Sequence, residues 1–490
     1  MSDIEKRGTQ AADYHEQVES LQQQKDEGTF ELPSPEEEKR VIRKLDYRLL
    51  PLVFVLYSLA VLDRSNLGNA RLAGMEKDID LSGNRYQLLG TIFYISYILS
   101  QWTLIGWKQF KPHNYCAAVV LLWGFIAAVQ AAAFNWQGLM VCRFFLGIAE
   151  AMFGPGVPLY LTYFYPRELV GFRHGVFISG AAMANAYGGA LAYGISQIKG
   201  SIAPWKILFL IEGLPTCAFA LVAWCFLPDS ISTAPFLNER EKQVALHFVA
   251  RDQRVDVGRE RGVRFKEVLE AFKDPKSFLP GIMYFGCNVS FASLPLFVPT
   301  IIAEMGTFTQ IQSNGLSAPP YVLCFFVIIL LCWLSDKFKV RGPFVALAAT
   351  IAGIGFIINA TTETTAPRYT SVFLSVCIFA SVALLLAWTA NIHATESKRG
   401  GGYTILATIG QCGPLLGTNV FPPSEKPLYR KGMWISAAMC LMVAVVAVIL
   451  SCWIIYENRQ LEKEGGIDDD VVDTDVAEAE GRHVKHKLVW

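Results

Sequence analysis

The sequence is poor in charge. Asp, Glu, Lys and Arg make up 18% of its 490 residues, whereas 52% are hydrophobic, and the formal net charge is zero. So few charges and so much apolar surface are typical of a polytopic membrane protein and not of a soluble one. The balanced charge also gives no indication of a nucleic-acid partner.

Several motifs of known chemistry are missing. The 11 cysteines include no CxxC pair and no Cys/His cluster, and all lie in apolar runs, where they behave as small hydrophobic side chains. No GxxxxGK[ST] phosphate-binding loop occurs, so we expect an ion or substrate gradient to supply the energy. We therefore expect no disulfide, no metal site, no cofactor and no enzyme active site.

The first 48 residues lack an apolar stretch, which predicts a disordered cytoplasmic tail (1–48) without a cleavable signal peptide. The polar, acidic segment 457–490 predicts a second such tail. Between them lie twelve apolar runs of about 20 residues, the length that crosses a bilayer. The predicted spans cover 49–72, 86–107, 115–134, 137–163, 172–198, 206–227, 280–303, 317–335, 343–360, 369–392, 402–421 and 433–456.

A polar connector, 228–279, separates spans six and seven and contains a predicted amphipathic helix at 238–251. The loops after spans two and eight are similarly basic, and those after spans four and ten share Glu, Arg and Gly at similar offsets. This repetition predicts an all-α membrane fold of two pseudo-symmetric six-helix bundles, 49–227 and 280–456, around a central site. The basic flank before span one and the basic residues of the connector place both termini in the cytoplasm.

The run RFFLGIAEAMFGPG in span four carries two charges in apolar surroundings. Arg143 and Glu150 are seven residues apart, so a helix presents both on one face, with Gly147 between them leaving room for an approaching group. A charge in hydrocarbon costs several kcal/mol and usually binds or moves a polar species. The alternative is an ion pair that locks two helices together.

Span one adds Asp63 and Arg64, which we expect at a similar depth. Two arginines suit an anionic substrate, because a guanidinium matches a carboxylate in a bidentate way. A carboxylate in a low-dielectric pocket favours its protonated form, so Glu150 or Asp63 is expected to load a proton. The alternative is that Asp63 and Arg64 both reach the outer membrane interface.

Other polar residues are weaker candidates for lining a substrate cavity. Tyr97, Asn288, Asn391 and Gln411 are predicted to contribute, although an ordinary hydrogen bond between helices is the alternative for each. His174 follows Arg173 and is expected to be a solvated loop residue.

Three segments resemble a known family: LDRSNLGNARLAG in span one, RFFLGIAEAMFGPGVPLYLTYFYPREL through span four, and WKILFLIEGLPTCAFALVAWCFLPDS in span six. They are similar to the major facilitator superfamily, and within it to the anion:cation symporter family that includes the fungal allantoate permease group. The resemblance covers residues 45–456. It implies a rocker-switch transporter in which Arg64, Arg143 and Glu150 form the substrate and proton site, with Asp63 a second proton site.

The sequence departs from the family pattern in two places. The loop after span two, GWKQFKPHN, lacks the usual acidic residue, whereas the corresponding loop after span eight keeps Asp336 and Arg341. Span eleven has Gln411 where the family often has asparagine, which is expected to affect substrate choice.

These observations predict proton-coupled uptake of a small organic anion by alternating access. The resemblance points to a carboxylated vitamin or nitrogen compound such as nicotinate, pantothenate or allantoate. The expected partners are that anion, a proton and the lipid bilayer, with the chain working as a monomer in the plasma membrane. Export of an anionic metabolite, a non-transporting nutrient sensor and a vacuolar location remain as alternatives.

Overall fold

The computed structural model describes residues 32–198, 200–257, 272–306, 308–392 and 396–463, and the regular elements in these ranges are helices. The predicted tail before residue 32, the tail after residue 463 and the connector segment 258–271 lie outside the described residues. The twelve long membrane helices in the described part are labelled α1 to α12 below.

The first half contains α1 (Pro35–Ala70), α2 (Arg85–Leu99), α3 (Pro112–Val129), α4 (Trp136–Ala151), α5 (Arg167–Ile195) and α6 (Pro204–Phe226). A connector helix follows at Glu239–Val257. The second half contains α7 (Pro275–Ala303), α8 (Ala318–Phe338), α9 (Gly342–Thr361), α10 (Ile378–Ile392), α11 (Glu396–Gly410) and α12 (Arg430–Lys463). Short helical segments lie at Arg71–Met75, Glu76–Asp78, Gln101–Ile105, Gly106–Gln109, Gln130–Ala132, Gly156–Leu161, Gln310–Leu316, Thr365–Ser375, Gly413–Gly417 and Pro423–Glu425.

Each of the twelve predicted spans overlaps one of these helices. Nine helical stretches of the described chain are long and apolar enough to cross a membrane. The other three spans correspond to α2, α5 and α11. Of these, α2 and α11 have only 15 residues each, because a break in the helix interrupts each predicted span.

The first helix begins earlier than the sequence analysis predicts. A capping box fixes its start: the Ser34 hydroxyl accepts a hydrogen bond from the Glu37 backbone N–H, and the Glu37 carboxylate accepts one from the Ser34 N–H, both 3.2 Å. Farther along, Lys44 Nζ lies 2.7 Å from Glu241 of the connector helix. The predicted disordered tail is therefore wrong from Pro35 onward, because these charged residues cap the helix and pair with the connector.

The helix contacts repeat with an offset of six helices. In the first half α1 packs on α5, α2 on α4 and α3 on α6. In the second half α7 packs on α11, α8 on α10 and α9 on α12. The described chain thus forms two bundles with the same internal arrangement, as expected from a duplicated architecture.

The two bundles meet through α1 and α7, through α5 with α8 and α10, and through α2 with the segment after α11. Near the start of α2, the Tyr86 hydroxyl donates to the Leu296 carbonyl at 3.0 Å. A Cβ on Gly68 would lie 2.8 Å from the same carbonyl, so α1 and α7 touch backbone to backbone. At the start of α5, the Phe172 N–H donates to Asp336 Oδ2 at 2.8 Å.

Candidate functional site: charged residues between α1, α2 and α4

A buried ion pair joins α1 to α4. Arg64 donates from Nε and Nη2 to the same oxygen, Oε2 of Glu150, at 3.0 and 2.7 Å. The Glu150 side chain is 1% exposed, whereas that of Arg64 is 15% exposed. An approaching anion therefore reaches the arginine before the carboxylate. The sequence places Glu150 on one face with Arg143, but the structure gives it Arg64 as its partner.

Arg143 lies beside this pair without a carboxylate of its own. Its Nη1 donates to the backbone carbonyls of Asp63 and Arg64 at 3.4 and 3.2 Å. The residue is 1% exposed, and its Nε and Nη2 have no hydrogen-bond partner within the described chain. A buried guanidinium with two unused donors is costly, so an anion that binds it offsets part of that cost.

The room beside Gly147 is filled by a helix and not by a ligand. A Cβ on Gly147 would meet the backbone carbonyl of Phe93 and the hydroxyl of Ser96 in α2. The expectation that this glycine leaves space for an approaching group is therefore wrong. Its absent side chain instead lets α2 pack closely on α4, which brings the rings of α2 toward Arg64.

Three aromatic rings of α2 surround the Arg64 guanidinium. The distance from Arg64 Cζ to the ring centroid is 5.1 Å for Phe93, 5.1 Å for Tyr97 and 5.9 Å for Tyr94. Each lies within the range of a cation–π contact. Tyr97, a predicted cavity residue, thus lies at the charged site.

Asp63 faces the interior of the first bundle. It is 1% exposed, so the alternative in which it reaches the membrane interface does not occur in this structure. Neither carboxylate oxygen has a hydrogen-bond partner in the described chain. Its neighbours include Trp123 of α3 and Thr216 of α6, together with the charged groups of Arg143 and Glu150.

No described contact joins the remaining predicted residues directly to Arg64. Asn288 donates from Nδ2 to the Gly410 carbonyl at 3.1 Å, which is the bond between helices that the sequence analysis gave as its alternative. Asn391 and Gln411 are partly buried, and no described contact links either of them to Arg64. The prediction for His174 is wrong: it lies within α5 and is fully buried, because that helix begins before it.

Sequence reasoning missed a group of polar residues around Asp63. Glu212 of α6 is 1% exposed, and Asn66 of α1 is fully buried. The polar side-chain atoms of both residues have no hydrogen-bond partner of normal length and angle among the described residues. The signal was present, because Glu212 is a lone carboxylate inside the apolar run of span six.

Comparisons with known proteins identify the family. Residues 53–418 match the Major Facilitator Superfamily. The high-affinity nicotinic acid transporter of Saccharomyces cerevisiae is 30% identical over 446 residues, which cover 89% of this chain and 82% of the yeast protein. An uncharacterized transporter of Schizosaccharomyces pombe is 31% identical over 436 residues, covering 88% of this chain and 85% of that protein.

The fold is also that of solved transporters. The proton:xylose symporter XylE aligns with a TM-score of 0.64 at 15% identity, covering 82% of this chain and 95% of XylE. A bacterial homologue of the human lysosomal transporter Spinster, in an inward-facing and occupied conformation, aligns with a TM-score of 0.58 over 82% of this chain and 96% of its own. The predicted fold class is confirmed, and the chain is a multi-pass membrane protein that belongs to the Major Facilitator Superfamily, a family of transporters and not of enzymes.

Proposed function

We propose that this chain is a proton-coupled symporter of the anion:cation symporter type that takes up a small organic anion. The observation that carries the proposal is the ion pair between Arg64 and Glu150, in which the cation is more exposed than the buried carboxylate. Arg64 and Arg143 bind the carboxylate of the substrate. Glu150 and Asp63 are the proton-coupling residues.

The pair has the features of an exchangeable anion site. Glu150 uses only Oε2 to hold Arg64, and its Oε1 has no hydrogen-bond partner within the described chain. A substrate carboxylate with two oxygens matches the guanidinium fork better than one oxygen does. The incoming anion therefore replaces Glu150 on Arg64, and the unused donors of Arg143 provide a second contact.

Replacement of Glu150 by the substrate as the partner of Arg64 explains the coupling to a proton. Glu150 is 1% exposed and has no second cation bonded to it, so an ionised Glu150 without Arg64 is an unpaired buried charge. Such a charge is avoided by taking up a proton. Substrate and proton thus favour each other's binding, and linkage requires the effect to be reciprocal.

The rings around Arg64 favour a flat substrate. Phe93, Tyr94 and Tyr97 present aromatic surface beside the guanidinium, so an anion bound there has its body against rings. Planar aromatic groups stack on such surfaces in offset or edge-to-face geometry. Among the substrates that the sequence suggests, a nicotinate-like aromatic carboxylate fits these contacts better than the aliphatic pantothenate. The name of the yeast relative, a nicotinic acid transporter, supports the same choice.

The remaining parts of the proposal follow from the sequence. The basic flank of α1 and the basic connector support a cytoplasmic location of both termini, and we propose the plasma membrane as the location and a monomer as the working unit. The two halves, 49–227 and 280–456, move against each other and so open the site to one side of the membrane and then to the other.

A binding experiment tests the anion site. The purified protein is mixed with nicotinate, pantothenate, allantoate or nicotinamide, and the melting temperature is measured for each. Stabilisation by nicotinate, with no effect of the neutral nicotinamide, is expected because the arginines need a carboxylate. Equal stabilisation by both compounds would contradict the proposed role of the arginines. A melting temperature that no anion changes would favour the export or sensor alternatives.

A further inference from the structure

A second polar site lies inside the first bundle, on another side of α1 from the Arg64–Glu150 pair. It contains side chains from three helical segments, which we call the inner polar cluster. Its members are Asp63 and Asn66 from α1, Trp123 from α3, and Glu212 and Thr216 from α6.

The polar atoms of this cluster are buried without partners. Among the described residues, both carboxylate oxygens of Asp63 and of Glu212 lack a hydrogen-bond partner of normal length and angle, as do both polar atoms of Asn66 and the indole N–H of Trp123. All of these residues are at most 1% exposed. Buried polar groups normally have hydrogen-bond partners. This number of unpartnered atoms in one place therefore indicates a species that binds among them.

The cluster is separate from the substrate site but adjacent to it. Asp63 and Arg64 are consecutive in a helix, so their side chains point about 100° apart. Arg64 turns toward Glu150 and the rings of α2, whereas Asp63 turns toward α3 and α6. Arg143 stands between the two sites, because its Nη1 bonds to the carbonyls of both Asp63 and Arg64.

The charges of the two sites do not balance when all groups are ionised. Three carboxylates, those of Asp63, Glu150 and Glu212, face the two guanidinium groups of Arg64 and Arg143. The negative charge of Asp63 acts on Glu212, and neither carboxylate has a bonded cation among the described residues. Tyr187 of α5 lies near both carboxylates and Cys217 of α6 lies near Asp63, and neither residue is a cation. One proton on the two carboxylates brings the total charge to zero.

We propose that Asp63 and Glu212 share one proton, and that this proton keeps Arg143 free to bind an anion. Two buried carboxylates that repel each other in a dry site do not both ionise, so one retains a proton from the water. The proton forms an O–H bond with one carboxylate, which leaves only the other one charged. A metal ion is a poorer occupant, because the Arg143 guanidinium and the Trp123 N–H already bring positive charge and a donor to the site.

Loss of the shared proton withdraws Arg143 from the substrate site. With both carboxylates ionised, the excess negative charge attracts the unused Nε and Nη2 donors of Arg143. Those donors are then no longer available to the substrate. The proton is therefore expected to bind before the anion. This second part of the inference rests on the proposed function, whereas the shared proton itself does not.

Infrared spectroscopy tests the shared proton without any substrate. A protonated carboxyl group absorbs separately from a carboxylate, so at neutral pH the wild-type protein is expected to show a buried carboxylic-acid band that shifts in D₂O. Glu212→Gln and Asp63→Asn should each lose this band, and Glu363→Gln, a control at a carboxylate that is 69% exposed, should keep it. A band that is absent from the wild type, or that survives both cluster substitutions, would overturn the proposal. Only the monodisperse fraction is measured, so a variant that fails to fold is recognised. The result then rests on the other of the two cluster variants.

The pH dependence of anion binding tests the role of Arg143. In the wild type, anion affinity is expected to fall about tenfold per pH unit once the shared proton dissociates. Glu212→Gln removes one charge permanently, so its affinity should stay high over the same pH range. A pH dependence unchanged from the wild type would contradict the link to Arg143, and a requirement for Na⁺ in place of acid would identify a metal ion as the occupant. If the wild type binds no anion at all, the proposed function fails. The infrared experiment still tests the shared proton independently.

Discussion

Arg64 holds Glu150 through two nitrogens and one oxygen, at 3.0 and 2.7 Å, which leaves the second carboxylate oxygen unused. This one-sided pairing makes the ion pair replaceable by a better-matched anion. It also makes Glu150 dependent on Arg64, since no other cation is bonded to it in the described chain. Binding of an anion at Arg64 and protonation of Glu150 are thus two consequences of one contact.

Replacing Glu150 by glutamine separates accumulation from exchange. Glu150→Gln mimics the protonated residue, so Arg64 remains open to the substrate but no proton is released during the cycle. We expect gradient-driven accumulation to fall to the equilibrium level, while exchange of labelled for unlabelled substrate continues. The measurement compares both modes in proteoliposomes, and full accumulation by the variant would remove Glu150 from the coupling mechanism.

Replacing Arg64 by lysine keeps the charge and removes the fork. A charge-assisted hydrogen bond contributes about 1.5–3 kcal/mol, so loss of one such contact should weaken anion binding roughly 10- to 100-fold. Arg85→Lys, at an exposed arginine that pairs with Asp80 outside the site, is the matched control and should bind as the wild type does. Equal affinity of Arg64→Lys and the control in calorimetry would show that Arg64 does not touch the anion.

Adding a methyl group at Gly147 should loosen the site through the helices around it. The new Cβ would meet the Phe93 carbonyl, so α2 has to move away from α4 at a cost of about 1–3 kcal/mol. Gly147→Ala is expected to melt at a lower temperature and to bind anions more weakly. Gly194→Ala is the control, because nothing lies within 4 Å of a Cβ there. Equal melting temperatures for the two variants would contradict the close contact between α2 and α4.

The contact between Asp336 and the start of α5 should keep one end of the bundle interface closed. The carboxylate accepts from the Phe172 N–H and pairs with Arg341, so Asp336→Asn weakens both contacts. Cys332 lies buried in the same interface, against Gly175. We expect a small maleimide to modify Cys332 faster in this variant. Peptide mass spectrometry measures the rate of modification at this cysteine. Asp80→Asn, at an exposed acidic residue distant in sequence from Cys332, serves as the control. An unchanged rate of modification in Asp336→Asn would mean that this contact does not hold the interface.

The fold was predictable because hydrophobic length sets the helices. Each run of about 20 apolar residues became a helix, and the repeated loops indicated the duplicated bundle. The start of α1 was missed, since its first turns are charged and are stabilised by the capping box at Ser34 and by the pairing of Lys44 with Glu241. Such contacts between distant segments leave no periodic signal in the sequence.

The site was predictable in its members but not in its pairing. Helical spacing put Arg143 and Glu150 on one face, yet the partner of Glu150 is Arg64, because the crossing of α1 and α4 decides which side chains meet. Gly147 could not be assigned to a helix contact without knowing that α2 lies against it. Glu212 was overlooked although its position in an apolar run carried the same signal as Glu150.

Transport by reconstituted protein tests the central claim most directly. Purified protein in liposomes is offered labelled nicotinate and other small carboxylates, with and without an inward proton gradient. Concentrative uptake of a carboxylate that disappears when the gradient is collapsed is the predicted result, and Glu150→Gln in parallel should give only equilibration. Uptake that reaches the same level without a gradient, or that is driven in the opposite direction, would contradict proton-coupled uptake.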